Sequence, residues 1–119
     1  MLSTVFAGVE FENPFVVASG PLTSNIHLLQ VAEKYGAAGA SIKLTMKELP
    51  FMGELRAVVI PGLGMIHASE RRLNLEEGLT LVKEAKEKTS LKIFANITAE
   101  GNKIDEWVEL ALAFARAGA

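Results

Sequence analysis

Three short stretches, Phe15-Val16-Val17-Ala18-Ser19, Ala40-Ser41-Ile42-Lys43-Leu44 and Leu91-Lys92-Ile93-Phe94-Ala95-Asn96-Ile97, are apolar at most positions rather than at every second one. A strand that alternates apolar and polar residues keeps one wet face. A strand apolar on both faces needs cover above and below, as in a parallel sheet flanked by helices. The first two stretches begin about 25 residues apart and enclose a helical pattern, which is the spacing of a βαβ unit with its right-handed crossover.

The intervening segments supply the helices. Gly20-Pro21 stops the first strand, and Thr23 or Ser24 is positioned to cap a helix over about 25–35, with Gly36 as its left-handed terminator. Its expected buried face carries Leu28, Val31, Ala32 and Tyr35. Asn74, with Glu77 three residues on, forms the pattern of a capping box, and Leu75, Leu79 and Val82 make the stripe of the helix it opens. Lys83, Glu84, Lys86, Glu87 and Lys88 are left for its wet side. A third helix is expected over 104–117. There Asp105, Glu106, Glu109 and Arg116 fill only about 100° of the circumference, so this helix needs cover on more than one side.

Two regions fall outside the repeat. Val5, Val9 and Phe11 around Gly8, closed by Asn13-Pro14, read as a short hairpin ahead of the main fold. The stretch 45–73, with Pro50, Gly53, Pro61, Gly62 and Gly64, reads as a long irregular loop with an extended piece at 57–60, and loops of that length are usually functional. The whole order is a β-hairpin followed by three β/α units. That is the first part of an α/β barrel or of a doubly wound sheet, in one domain over 1–119. The Ala-Gly-Ala ending is the approach to a further strand, so the chain is expected to be incomplete. Half of the residues are hydrophobic, before ten glycines are counted, which is more than a domain this size readily hides.

Composition removes several functions. Without cysteine there is no disulfide framework, thiolate metal site or thiol nucleophile in this sequence, and two histidines, His27 and His67, make no metal cluster. A net charge of −2 and a pI near 5.7 argue against nucleic acid as a partner. No apolar run approaches the ~18 residues of a membrane span. The first residues lack the basic region of a signal peptide, so the expected location is cytoplasmic and no membrane partner is expected.

In parallel α/β folds ligands sit at the carboxyl ends of the strands. This singles out Ala18-Ser19-Gly20, Lys43 and Asn96. A lysine in an apolar strand must find an anion or a developing negative charge to offset its desolvation, or else extend its head out to water. Ala18, Ser19 and Gly20 let a flat ligand approach the backbone closely, or are an ordinary strand-to-loop transition. Asn96 can both donate to and accept from a heteroaromatic edge, or serve a turn. His67, the Glu70-Arg71-Arg72 cluster and the Gly62-Leu63-Gly64 pair have plain readings as loop and solvated surface, and Asp105 and Glu106 suit a helix first turn without catalysis.

Asn13 to Gly20 (Asn-Pro-Phe-Val-Val-Ala-Ser-Gly), Ser41-Ile42-Lys43 and Ile93 to Ile97 (Ile-Phe-Ala-Asn-Ile) together resemble the N-terminal half of the dihydroorotate dehydrogenase family. They resemble equally the pyrimidine-reducing barrel of dihydropyrimidine dehydrogenase, to which 102–119 is the more similar. The resemblance implies an FMN-binding TIM barrel of ordinary ~250-residue length. It implies that Ala18, Ser19 and Gly20 pass their backbone beside the flavin ring. Lys43, the implied catalytic residue, would lie near the ring's pyrimidine end, with Asn96 in contact. The implied reaction is hydride transfer between FMN and a C–C bond of a small cyclic substrate. The chain departs from the family pattern: Leu44 follows the lysine and Thr45 comes one place late, the stretch 61–67 lacks the family's substrate-loop asparagine, and the family's acid–base residue and phosphate-binding loops would lie beyond Ala119, so the 119 residues alone are expected to be inactive. Two other readings stand beside this one. One is a phosphate-binding barrel lyase or synthase that uses Lys43 as electrophile or Schiff base. The other is a non-catalytic half-barrel that associates through its open strand edges. The expected partners are a small-molecule substrate and either a second copy or the remaining barrel half.

Overall fold

A computed structural model of the chain describes residues 2–47, 57–67 and 72–119. Among the described residues ten short strands and three helices follow one another. They are β1 (Thr4–Phe6), β2 (Val9–Phe11), β3 (Val16–Val17), α1 (Ile26–Lys34), β4 (Gly39–Ser41), β5 (Thr45–Met46), β6 (Ala57–Ile60), β7 (Gly64–His67), β8 (Leu73–Asn74), α2 (Leu75–Lys88), β9 (Lys92–Phe94), β10 (Ile97–Thr98) and α3 (Ile104–Ala117). The result is a mixed α/β domain with parallel sheets.

The lower three-stranded sheet follows chain order, whereas in the upper one β5 lies between β10 and β8. β3 pairs in parallel with β4, and β4 with β9. Above them β5 pairs in parallel with β10 on one side and with β8 on the other. β4–β5 and β9–β10 are therefore two continuous rising staves, each with a break. Leu29, Leu81, Val82 and Phe114, from all three helices, share one buried cluster with Ala40, Ile42 and Ile93 of the sheet. All three helices thus cover the same sheet face.

The helix ends follow local chemistry. Asn74 caps α2 by accepting from the Glu77 backbone N–H (2.9 Å), while the Glu77 carboxylate accepts from the Asn74 backbone N–H (3.0 Å). The box expected from sequence is present on both sides. α1 is capped by Asn25, whose side-chain oxygen accepts from the Leu28 N–H, not by Thr23 or Ser24. Those two lie in and beside the 3-10 turn Pro21–Thr23, with both hydroxyls already donating to the turn's carbonyls. At its other end Gly36, at φ +92°, donates to the Glu33 carbonyl while the Ala37 N–H reaches the Ala32 carbonyl, a Schellman termination.

Two sequence expectations change. The buried residue of α1 is Leu29 (0% exposed), and Tyr35 is 81% exposed because the helix has ended before it. The stretch 45–73 is not simply irregular. It contains β5, β8 and a β6–β7 hairpin whose turn is closed by Leu63 N–H to Ile60 C=O. The extended piece at 57–60 is one arm of that hairpin.

On the face away from the helices, the β1–β2 hairpin folds back over the sheet. Phe11 is buried and stacks on Phe94 (centroids 5.9 Å apart, planes at 4°), and Phe6 meets the same ring at 6.2 Å. Gly39 lies under this stack. A Cβ there would stand 2.8 Å from the Lys92 carbonyl oxygen and 3.2 Å from the Phe11 ring, so only glycine lets the three strands close up.

Candidate functional site

The break between β4 and β5 sets the site. Ser41 pairs with Phe94 and Thr45 with Ile97, so four steps on one stave match three on the other. One extra residue is accommodated, a β-bulge in a parallel pair, and bulges re-aim side chains. The hydrogen bonds trace it. The Ile42 N–H donates to the Phe94 carbonyl (3.0 Å) and the Thr45 N–H to the Asn96 carbonyl (2.8 Å), whereas the Lys43 N–H turns to the other side and donates to the Thr23 carbonyl (2.9 Å).

Ile42 and Thr45 are both fully buried towards the helices: Ile42 belongs to the core cluster, and Thr45 lies against Gly78 and Phe114. Lys43 and Leu44, between them, are left for the opposite face, the one that carries Ser41 and Phe94. Lys43 is 8% exposed, so its chain is enclosed. The Thr45 hydroxyl donates to the Lys43 carbonyl (3.2 Å) and fixes the bulge from the helix side.

Ala18, Ser19 and Gly20 follow β3 at the same end of the sheet. The Gly20 N–H donates to the Thr23 hydroxyl (3.1 Å), which donates back to the Gly20 carbonyl (3.2 Å). Thr23 is itself 0% exposed. This one residue therefore holds the Gly20 turn with its side chain and the Lys43 backbone with its carbonyl. Gly20 has extended backbone (φ 179°), so conformation does not require glycine there. A Cβ would meet only the Ala18 carbonyl at 3.9 Å, and the absence of bulk keeps this strip of backbone open. Ala18 is exposed, and Ser19, Gly20 and Asn96 are half-buried.

The candidates from sequence thus share one rim: the carboxyl ends of three adjacent parallel staves, with Lys43 in the middle, Ala18–Gly20 on one side and Asn96 on the other. The rim offers a cation, an amide, a hydroxyl and open backbone. These are groups suited to a planar, polar-edged ligand. Towards the amino ends, an apolar recess of about 660 Å³ opens on the same sheet face, lined among others by Phe6, Phe11, Val16, Ser41 and Phe94.

Other sequence candidates fall elsewhere. His67 is in β7, away from the rim strands, and Glu70 and Arg71 lie outside the described residues. Arg72 points a guanidinium N–H at the Met46 sulfur (3.6 Å). Asp105 and Glu106 occupy the first turn of α3. Sequence reasoning took Thr23 only as a helix cap and missed its link between Gly20 and Lys43, for which a Gly-Pro-x-Thr turn gives little signal; it also missed the Lys47–Glu109 ion pair (2.7 Å) that ties the end of β5 to α3. Among the described residues no cluster of His, Asp or Glu suits a metal ion, and no helix is long and apolar enough to cross a membrane. Compared with known proteins, the chain matches no family model and no curated protein.

Proposed function

We propose that this chain forms the N-terminal part of a TIM-barrel, FMN-dependent oxidoreductase of the dihydroorotate/dihydropyrimidine dehydrogenase type, acting on a C–C bond of a small cyclic substrate. The observation that carries the reading is the bulge. It directs an enclosed lysine to the sheet face opposite the helices, at the strand ends, between an open Ala-Ser-Gly backbone and an asparagine. Staves added in chain order with all helices on one face also support a sector of a (β/α)8 barrel.

The residues fit a flavin. Gly20 leaves unfilled space where the backbone would run beside a ring, and the donor set of Lys43, Ser19 and Asn96 suits ring-edge carbonyls and nitrogens. When bound, FMN supplies the hydride chemistry. Lys43 holds a fixed positive charge at the rim and favours negative charge developing beside it, the more strongly because its stem is shielded from water. Asn96 orients a polar edge. Thr23 keeps the Gly20 backbone and Lys43 in register by bonding to both.

The test is FMN uptake by the barrel completed with its remaining half, followed by flavin fluorescence, in wild type and in Lys43→Met. Wild type binds FMN, and the variant, which keeps the length of the side chain without its charge, binds at least about tenfold more weakly. Failure to take up FMN contradicts the proposal. Borohydride trapping of a carbonyl compound on Lys43 would favour the Schiff-base reading instead.

A further inference from the structure

A second cation borders the rim, on the strand beside its three staves. The lower sheet has the order β3-β4-β9 and the upper one β8-β5-β10. β8 therefore lies on the side of β3, where the chain has already turned off at Gly20-Pro21. Leu73 of β8 pairs with Thr45, and both are buried towards the helices. Alternation gives Arg72, one residue earlier, to the opposite sheet face, in register with Leu44, the neighbour of Lys43 in the bulge. Its one contact agrees with that placement. The guanidinium donates to the sulfur of Met46, which follows Thr45 and belongs to the same face.

For an arginine that contact is a poor one. A thioether is a weak acceptor, and the N···S distance is 3.6 Å. It is the only bond Arg72 makes, although the residue is half-buried. Lysines at the surface are better served, since Lys47 reaches Glu109 at 2.7 Å and Lys88 reaches Glu84 at 2.6 Å. The described stretches 39–46, 72–74 and 92–98, which build this part of the sheet, hold no Asp or Glu. A guanidinium presents its N–H donors as a planar fork matched to a carboxylate or a phosphate. Withdrawing it from water without such a partner costs free energy.

We propose that Arg72 is a ligand-binding residue of the rim, which takes an oxyanion group, carboxylate or phosphate, carried by the ring compound that occupies the site. Lys43 adds positive charge from the adjacent stave, about 4.8 Å away between strand axes. The sulfur contact holds the guanidinium at the rim and engages a single donor. A charge-assisted bond to an oxyanion is the stronger one, so the ligand gives Arg72 a strong partner in place of a weak one. Two sources share this chemistry: the phosphate of FMN and an acidic substituent on the substrate. The identity of the ring compound rests on the flavin reading; the anion site itself does not.

The experiment uses the barrel completed with its remaining half, in wild type, Arg72→Gln and Arg72→Lys, with melting temperature as the check on folding. Affinities are measured for benzoate against its neutral counterpart benzamide, and for FMN against riboflavin. In at least one pair the wild type prefers the anion by about tenfold or more, and Arg72→Gln abolishes that preference. Arg72→Lys, which keeps the charge without the fork, restores part of it. Dependence on Arg72 in the benzoate pair assigns the group to the substrate, and in the FMN pair to the cofactor. If Arg72→Gln does not fold, the Arg72 Nε–H resonance of labelled wild type decides, by shifting with an anion and not with its neutral counterpart. Preferences that survive Arg72→Gln, or that are absent from wild type in both pairs, overturn the proposal. A wild type that prefers benzoate through Arg72 but takes up no FMN overturns the flavin reading and leaves the anion site standing.

Discussion

Thr45 and Gly78 show how closely the site is built into the core. Gly78 is the fourth residue of α2, and within a helix alanine is ordinarily more stable than glycine by about 0.5–1 kcal/mol. Here a Cβ would stand 2.6 Å from the Thr45 hydroxyl and 2.8 Å from the Phe114 ring. Gly78→Ala is therefore expected to destabilise the domain by about 1–3 kcal/mol, read as a lower melting temperature. Thr45→Ala in the same background should recover part of the loss, because it removes two of the three clashing atoms. Glu33 gives a residue-scale prediction in pH. The Ser90 hydroxyl and then its backbone N–H donate to one carboxylate oxygen, at 2.7 and 2.6 Å, and hold the Glu33 carboxyl below its usual value near 4.5, against a smaller opposing effect of burial. A carboxyl with its pKa lowered on folding contributes stability above the unfolded value and loses it as pH falls through the folded value. Glu33→Gln should therefore cost about 0.5–1 kcal/mol at neutral pH and flatten the acid limb of stability, measured by urea denaturation from about pH 7 to about pH 3.

At the scale of elements, legibility followed the strength of the local signal. α2 and α3 were readable because a capping box opens one and the polar residues of the other gather on one arc of its circumference; Gly118, at φ +105°, closes α3. Asn74→Ala should cost about 1–2 kcal/mol, with Asn74→Asp close to neutral, by thermal melting. The start of α1 was harder, since Thr23, Ser24 and Asn25 are all capping residues and only the fold shows that Thr23 and Ser24 are committed to the preceding turn. The bulge was invisible. In an alternating strand an inserted residue would break the pattern, but Ala40–Leu44 is apolar on both faces, so a shift in register leaves no trace in composition. Lys43 could be chosen by its type and place in the chain; the side of the sheet it occupies could not.

Across the whole molecule the apolar excess of the sequence finds a location. It lies on the inner sheet face around Phe6, Val16 and Phe94, on the hairpin arm with Val58 and Val59, and on the outer stripe of α3. Each is an apolar surface left exposed among the described residues. The rim around Lys43 is the polar exception, and the flavin proposal stands or falls there. The most direct measurement is a titration of FMN into the barrel completed with its remaining half, with these 119 residues isotopically labelled, followed by amide chemical shifts. The account predicts saturable shifts concentrated at Ser19, Gly20, Lys43 and Asn96, strongly reduced in Lys43→Met. Shifts that avoid these residues, or no shifts as FMN is raised, contradict it.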